Sequence, residues 1–92
     1  MIRTFKHAGL KRYFETGKAK GIPADMAKRI QARLNVLNRA RELRDLKLPG
    51  LGFHSLKGDR KGEYALTVTA NYRLTFRFEN SDVVDLNLED YH

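Results

Sequence analysis

The spacing of hydrophobic positions changes partway along this chain. Leu10, Tyr13 and Phe14 fall at i, i+3 and i+4, and Ala27, Ile30, Leu34 and Leu37 follow at steps of three, four and three. Both spacings predict helices with one apolar stripe. Gly17 is placed to stop the first, and Pro23 sits in the first turn of the second, which is expected to end between Ala40 and Leu43. Lys28, Arg29, Arg33 and Arg39 lie off the apolar seam. Ahead of the helices, Ile2 to Lys6 alternates and predicts a short strand. Between them "GKAKGIP" reads as a basic loop, and "LKLPGLGF" after them is a loop because it carries one Pro and two Gly.

Beyond that loop the period becomes two. "FHSLK" is a short strand candidate and "GDRKG" a five-residue turn. In "EYALTVTA", Tyr64, Leu66 and Val68 share a face. In "NYRLTFRF", Tyr72, Leu74, Phe76 and Phe78 share one face, with Arg73, Thr75 and Arg77 on the other. Asn80-Ser81 marks a turn, and "DVVDLNLE" places Val84, Leu86 and Leu88 together. Short turns between successive strands imply antiparallel pairing. The expected architecture is α+β, in the order β-α-α-β-β-β-β, with two N-terminal helices packed on one face of a twisted antiparallel sheet. Ninety-two residues suffice for one core, so residues 1–92 are expected to form a single domain.

Composition narrows the class. Apolar residues make up 41% and charged residues 32%, which argues against a disordered tail. Apolar runs are far shorter than the roughly 20 residues of a membrane helix. "MIRTFKHAG" lacks a signal-peptide pattern, and the absence of Cys excludes a disulfide framework or thiolate metal site. A soluble, cytosolic protein is expected. The net charge of +7 is unevenly divided. Residues 1–61 carry 16 Lys/Arg against 5 Asp/Glu, and residues 62–92 carry 2 against 6. The basic part attracts polyanions, with nucleic acid the first partner class and an acidic protein the second.

The β half holds the chemistry. His54, Lys57, Arg73, Asp90, Tyr91 and His92 are the residue types that phosphodiester cleavage needs. Cutting RNA without a metal requires a base for the ribose 2′-OH, cations for the pentavalent phosphorus, and an acid for the leaving 5′ oxygen. Histidine suits the proton roles and Arg and Lys suit phosphate. The product would be a 2′,3′-cyclic phosphate, and DNA would be spared. Blander readings stand beside this one. Arg73, Thr75 and Arg77 also fit a solvated face. His54 shares strand parity with Leu56, as a half-buried structural histidine would. Lys57 faces away from His54 unless the strand twists or ends near Leu56. His7, between strand and helix, reads as structural or solvated. Three scattered histidines without Cys lack the spacing of a metal site.

Three blocks, "MIRTFKHAGLKRYFETG", "HSLKGDRKGEYALTVTANYRLTFRF" and "LEDYH", give the chain a resemblance to the HigB toxins of the RelE superfamily over essentially its whole length. The resemblance implies an endoribonuclease that cuts mRNA in the ribosomal A site, stops translation and arrests growth. It implies docking on the 70S ribosome through the basic helical half. It implies neutralisation by a HigA antitoxin with a helix-turn-helix domain, operator DNA being met only through that antitoxin. Residue by residue, it carries catalytic roles to His54, Lys57, Arg73, Asp90, Tyr91 and His92, and RNA contact to Asn71, with Arg77 beside it on the open face. His92 is expected to serve proton transfer with Asp90 and His54 assisting, Lys57 and Arg73 to hold phosphate, and Tyr91 to stack on a nucleotide; which group is base and which is acid stays open. The terminal Asp-Tyr-His is thereby expected to belong to the site rather than to fray.

Rival readings have their own signatures. ParE-like inhibitors of DNA gyrase share the architecture but have no use for His54, Lys57, Asp90 and His92 together. A non-catalytic binder would be insensitive to the histidines. A nuclease acting on free RNA would not need the ribosome.

Overall fold

The computed structural model describes residues 1–91. Helix α1 spans Ala8–Thr16 and opens on His7, whose Nδ1 accepts the Leu10 N–H at 3.0 Å, satisfying one of the orphan donors of the first turn. His7 is therefore a cap. Gly17 closes the helix in the left-handed conformation, its N–H reaching the Tyr13 carbonyl at 2.9 Å. Pro23 precedes a short 3-10 turn, Ala24–Met26, that runs directly into helix α2, Ala27–Arg39. The seam read from the sequence faces inward, with Ile30, Leu34 and Leu37 buried. Tyr13 joins the helices by donating its hydroxyl to the Ala27 carbonyl at 3.0 Å.

The sheet is a four-stranded antiparallel meander in the order β1 (His54–Ser55), β2 (Glu63–Thr67), β3 (Tyr72–Glu79) and β4 (Asp82–Asp90). Asn80 and Ser81, both at positive φ, form the two-residue turn whose twist suits a hairpin between β3 and β4. The helix layer buries Leu10, Ile30, Leu34 and Leu37 against Leu66, Leu74, Phe76 and Leu86, one continuous core. Each such side chain contributes roughly 1.5–3 kcal/mol by leaving water.

Two expectations are modified. The N-terminal strand is reduced to two parallel bridges, Ile2 to Val83 and Phe5 to Leu86, laid along β4. Within β4 the alternation slips. Val84 pairs with Arg77, and Asn87 pairs with Thr75. Two residues, Asp85 and Leu86, thus oppose Phe76 alone. This is a β-bulge, with Asp85 at φ 55°. It sends Val83, not Val84, into the core with Leu86, and turns Val84 to the face that carries Arg77.

Arg33 fastens the long loop to this frame. Its Nε donates to the Thr67 carbonyl at 2.7 Å and its Nη2 to the Gly50 carbonyl at 3.2 Å. Desolvation of the guanidinium, with Arg29 nearby, lowers its pKa. Gly52, at φ 62°, lies so close to Thr67 that a Cβ there would stand 2.5 Å from the threonine Oγ1. Loop, helix and β2 meet at this point, immediately before His54.

Candidate active site

Cross-strand pairing decides which side chains share the face away from the helices. His54 pairs with Ala65 and Ala65 with Thr75; Thr67 pairs with Arg73 and Arg73 with Glu89; Glu63 pairs with Arg77. Paired residues point to the same side of a sheet. His54, Arg73, Arg77 and Glu89 therefore share one face. His54 lies two strands across and two residues along from Arg73, roughly 12 Å between Cα atoms at ordinary strand spacing.

This face is not the open solvated surface the alternation suggested. Its floor is buried: Ala65 is 0% exposed, Thr75 2% and Val84 4%. Over the floor lies an ionic cluster. Arg60, from the 3-10 turn Gly58–Arg60, donates Nη1 to Glu89 Oε1 at 2.8 Å and Nη2 to Glu89 Oε2 at 2.5 Å. It also reaches both oxygens of Glu63, at 3.3 and 2.8 Å. Thr75 donates its hydroxyl to Glu89 Oε2 at 2.7 Å, and Arg73 donates Nη2 to Glu89 Oε1 at 3.3 Å. The Arg60 hydrogen bonds, aided by those from Thr75 and Arg73, outweigh desolvation and hold the Glu89 carboxyl down to about 2. Arg60 is the main cause of a lowered pKa at Glu63 as well, and its own pKa is raised by its bonds to Glu89 and then Glu63.

Arg73 is gripped from two sides. Below, its Nη2 meets Glu89. Above, its Cζ stands 4.6 Å from the centroid of the Tyr91 ring, a cation–π contact. Its Nε is buried with no hydrogen-bond partner among the described residues. Such an orphan donor is costly to bury. Tyr91 in turn is anchored by its N–H to the Asn71 carbonyl at 2.8 Å. The Asn71 turn is fixed from within, with Thr69 Oγ1 accepting the N–H groups of Asn71 and Tyr72 at 3.2 and 3.1 Å.

The other expected residues fall as follows. His54 is exposed, with Nδ1 3.0 Å from the Gly52 carbonyl. A carbonyl only accepts, so Nδ1 carries the hydrogen in this contact. The half-buried structural role does not hold for it: β1 is only two residues long, and pairing with Ala65 rather than parity with Leu56 sets its direction. Lys57, also exposed, leads into the Gly58–Arg60 turn and lines a cavity of about 440 Å³ with Leu56, Lys61 and Tyr64. Arg77 lies 3.9 Å from Glu79 and shares its row with Glu63 and Val84. Asp90 pairs with Tyr72, whose ring packs on the core, so its register belongs to the helix side at the end of β4. His92 lies outside the described residues. Among those described, no group of three or more His, Cys, Asp or Glu is arranged to hold a metal ion. The sequence reading missed Glu89, Arg60 and Glu63, and placed Thr75 on this face without giving it a role. The available signal was a carboxylate on β4 with the same face parity as Arg73.

Comparison with known proteins agrees with this fold. A family model described as the RelE-like toxin of type II toxin–antitoxin system HigB matches residues 3–92. The chain is 48% identical to Endoribonuclease HigB of Proteus vulgaris over 92 residues, with 100% of both proteins covered. It is 28% identical over 93 residues to Toxin HigB-1 of Vibrio cholerae serotype O1, covering 99% of this chain and 98% of that protein. In fold it is similar to the YoeB/ParE toxin from Agrobacterium tumefaciens, with a TM-score of 0.66 at 20% identity and 100% of both chains covered. A chain of the YoeB-YefM complex from Staphylococcus aureus gives a TM-score of 0.61 at 17% identity, with 100% and 98% covered. With its helices on one side of the sheet, its ionic cluster on the other, and a family match running from Arg3 to the last residue, the chain belongs to the RelE-like HigB toxins of type II toxin–antitoxin systems.

Proposed function

We propose that this toxin is a ribosome-dependent endoribonuclease that cleaves mRNA in the A site and so arrests translation. The observation that carries the reading is the Arg73 guanidinium, held between Tyr91 and Glu89 on the same sheet face as His54. The name of the Proteus relative supports the activity. His54 Nε2 takes the proton of the ribose 2′-OH. The 2′ oxygen attacks the adjacent phosphorus, and the P–O5′ bond breaks. Arg73 and Lys57 hold the phosphoryl oxygens as negative charge builds, and Tyr91 stacks on a base. His92 protonates the departing 5′ oxygen; Asp90, in the helix-side register at the end of β4, takes no direct part in that transfer. The products are a 2′,3′-cyclic phosphate and a 5′-hydroxyl. Asn71 and Arg77 flank the path of the RNA.

Charge supports dependence on the ribosome. Within the site, Glu63 and Glu89 offset Arg60 and Arg73, leaving Lys57 and Arg77, the latter 3.9 Å from Glu79, as its remaining cations. Further positive charge lies elsewhere, with Lys11 and Arg12 of α1 and Lys28, Arg29 and Arg39 of α2 exposed. That surface binds rRNA while the sheet face meets a message already held in place. The protein acts in the cytoplasm. No helix among the described residues is long and apolar enough to cross a membrane. A HigA-type helix-turn-helix antitoxin neutralises the toxin and provides the contact with operator DNA.

Primer extension on ribosomes loaded with a defined message tests the reading. New 5′ ends are expected inside the A-site codon, absent on free message and absent after deletion of His92. Intact, folded protein that makes no cuts would overturn it in favour of simple ribosome blocking.

A further inference from the structure

Glu89 has no assigned part in the chemistry above, yet its carboxylate bonds to three different residues of the site. Four hydrogen bonds from three residues converge on its two oxygens, and each tie leads to a different working part. Arg60 closes the turn that begins at Lys57, the Arg60 N–H reaching the Lys57 carbonyl at 3.3 Å. Arg73 is the guanidinium beneath Tyr91. Thr75 anchors the carboxylate to the buried floor of β3. Two residues downstream on its own chain is Tyr91 itself. We propose that Glu89 is a positioning residue, which sets the spacing of the Lys57 turn and Arg73 so that both meet one phosphate, without itself touching RNA.

The proposal rests on the nuclease reading above. Contact between Glu89 and RNA is disfavoured because a carboxylate repels phosphate and both oxygens already accept hydrogen bonds. A purely structural role is also disfavoured. The β3–β4 hairpin is held by its backbone register and by the apolar core on its other face, and neither needs two arginines on one carboxylate. A guanidinium fixed in advance loses less freedom when a phosphate arrives, and in catalysis that advantage appears in the rate of the bound complex.

Electrostatics and positioning predict opposite behaviour for Glu89→Gln. Neutralising the carboxylate adds a positive charge to the face, so charge alone would tighten RNA binding and leave turnover unharmed. Positioning predicts a kcat at least about tenfold lower with KM unchanged or reduced, because the lost contact acts in the transition state rather than in binding. The test measures kcat and KM of wild type, Glu89→Gln, Arg73→Ala and the double variant on programmed ribosomes, with folded fraction checked by circular dichroism. The expected result is a tenfold or greater kcat loss for Glu89→Gln that vanishes in the Arg73→Ala background, since coupled residues are not additive. Thr75→Val, which removes one tie without changing charge, gives an independent reading if Glu89→Gln does not fold: a kcat loss of about two- to fivefold, again absent in the Arg73→Ala background. Wild-type turnover in both variants, or losses that multiply with Arg73→Ala, would overturn the role of Glu89 and leave the nuclease reading intact. Absence of cleavage by the wild type would overturn both.

Discussion

Gly50 and Gly52 sit in one loop, both at positive φ, at 85° and 62°. They differ in what surrounds them. A Cβ on Gly50 meets nothing within 4 Å, whereas one on Gly52 would stand 2.5 Å from Thr67 Oγ1 and 2.8 Å from its Cβ. Alanine at either position incurs the left-handed backbone cost of roughly 1–2 kcal/mol. At Gly52 the overpacking of β2 adds about 1–3 kcal/mol, because Thr67 is tied through its N–H to the Leu51 carbonyl at 3.0 Å and through its carbonyl to Arg33. Gly50→Ala is therefore expected to cost about 1–2 kcal/mol, and Gly52→Ala about 2–5 kcal/mol. In a domain this small, each kcal/mol lowers the melting temperature by about 4–8 °C. Urea and thermal unfolding followed by circular dichroism measure the gap. Gly52→Ala has a second effect, because the Gly52 carbonyl that holds His54 Nδ1 moves with the loop. Cleavage per folded molecule is expected to fall in Gly52→Ala and to stay near wild type in Gly50→Ala. Equal midpoints for the two variants, or a larger loss at Gly50, would refute the reasoning.

Acid should loosen the same face. Glu89 titrates at about 2 rather than the ordinary 4.5, and its folded pKa is depressed, so its contribution is complete above about pH 4.5 and disappears as pH falls toward 2. A shift of that size corresponds to about 3 kcal/mol at neutral pH. Urea midpoints of the wild type should hold from pH 7 to 5 and drop below 4.5. The gap between wild type and Glu89→Gln should close over the same range, and a constant gap would contradict the assignment. Tyr91→Ala removes a cation–π contact of about 0.5–1 kcal/mol and uncovers Arg73, and its kcat is expected to fall further than that of Tyr91→Phe, which keeps the ring. Equal damage from both would assign the role to the hydroxyl. Leu37→Ala empties a fully buried position between helix and sheet and is expected to lower unfolding free energy by about 2–5 kcal/mol in urea titrations.

The helices were legible because each element of the reading reinforced the others: the stripe through Leu10 and Tyr13, the stop at Gly17, the Pro23 start and the seam through Leu37. The meander was legible for the same reason, strict alternation punctuated by Asn80-Ser81 and the "GDRKG" turn. The bulge was not. One extra residue at Asp85 inverts the parity of what precedes it, and no local composition announces it, so Val84 was placed on the wrong face. The N-terminal strand was overextended because alternation over Ile2 to Lys6 cannot tell continuous pairing from two bridges. At the site, the face shared by Arg73 and Arg77 was read correctly. What escaped was how that face is built. Alternation labels Thr75 and Glu89 simply as polar, whereas the pairing of β3 with β4 buries the hydroxyl and clusters the charges around the carboxylate.

The two parallel bridges along β4 bear on how the domain folds. Ile2 pairs with Val83 and Phe5 with Leu86, so both contacts close loops of more than eighty residues, near the largest separation this chain offers. The β3–β4 hairpin, joined by two residues, is a local contact, whereas the N-terminal bridges are among the longest-range contacts in the fold. Arg3 and Lys6 donate to β4 at 2.8 Å, Val83 and Leu86 donate back at 2.9 and 3.1 Å, and the Asp85 N–H reaches Thr4 Oγ1 at 2.8 Å, a shorter seam than the β2–β3–β4 ladder. Native-state hydrogen exchange should find this seam opening at lower free energy than the β2–β3–β4 ladder, as a local unit that detaches while the catalytic face stays assembled. Each opening exposes the outer edge of β4 around Val83 and Leu86, a nine-residue strand whose backbone groups can then accept a foreign strand. The first six residues thus cover the outer edge of the sheet's longest strand.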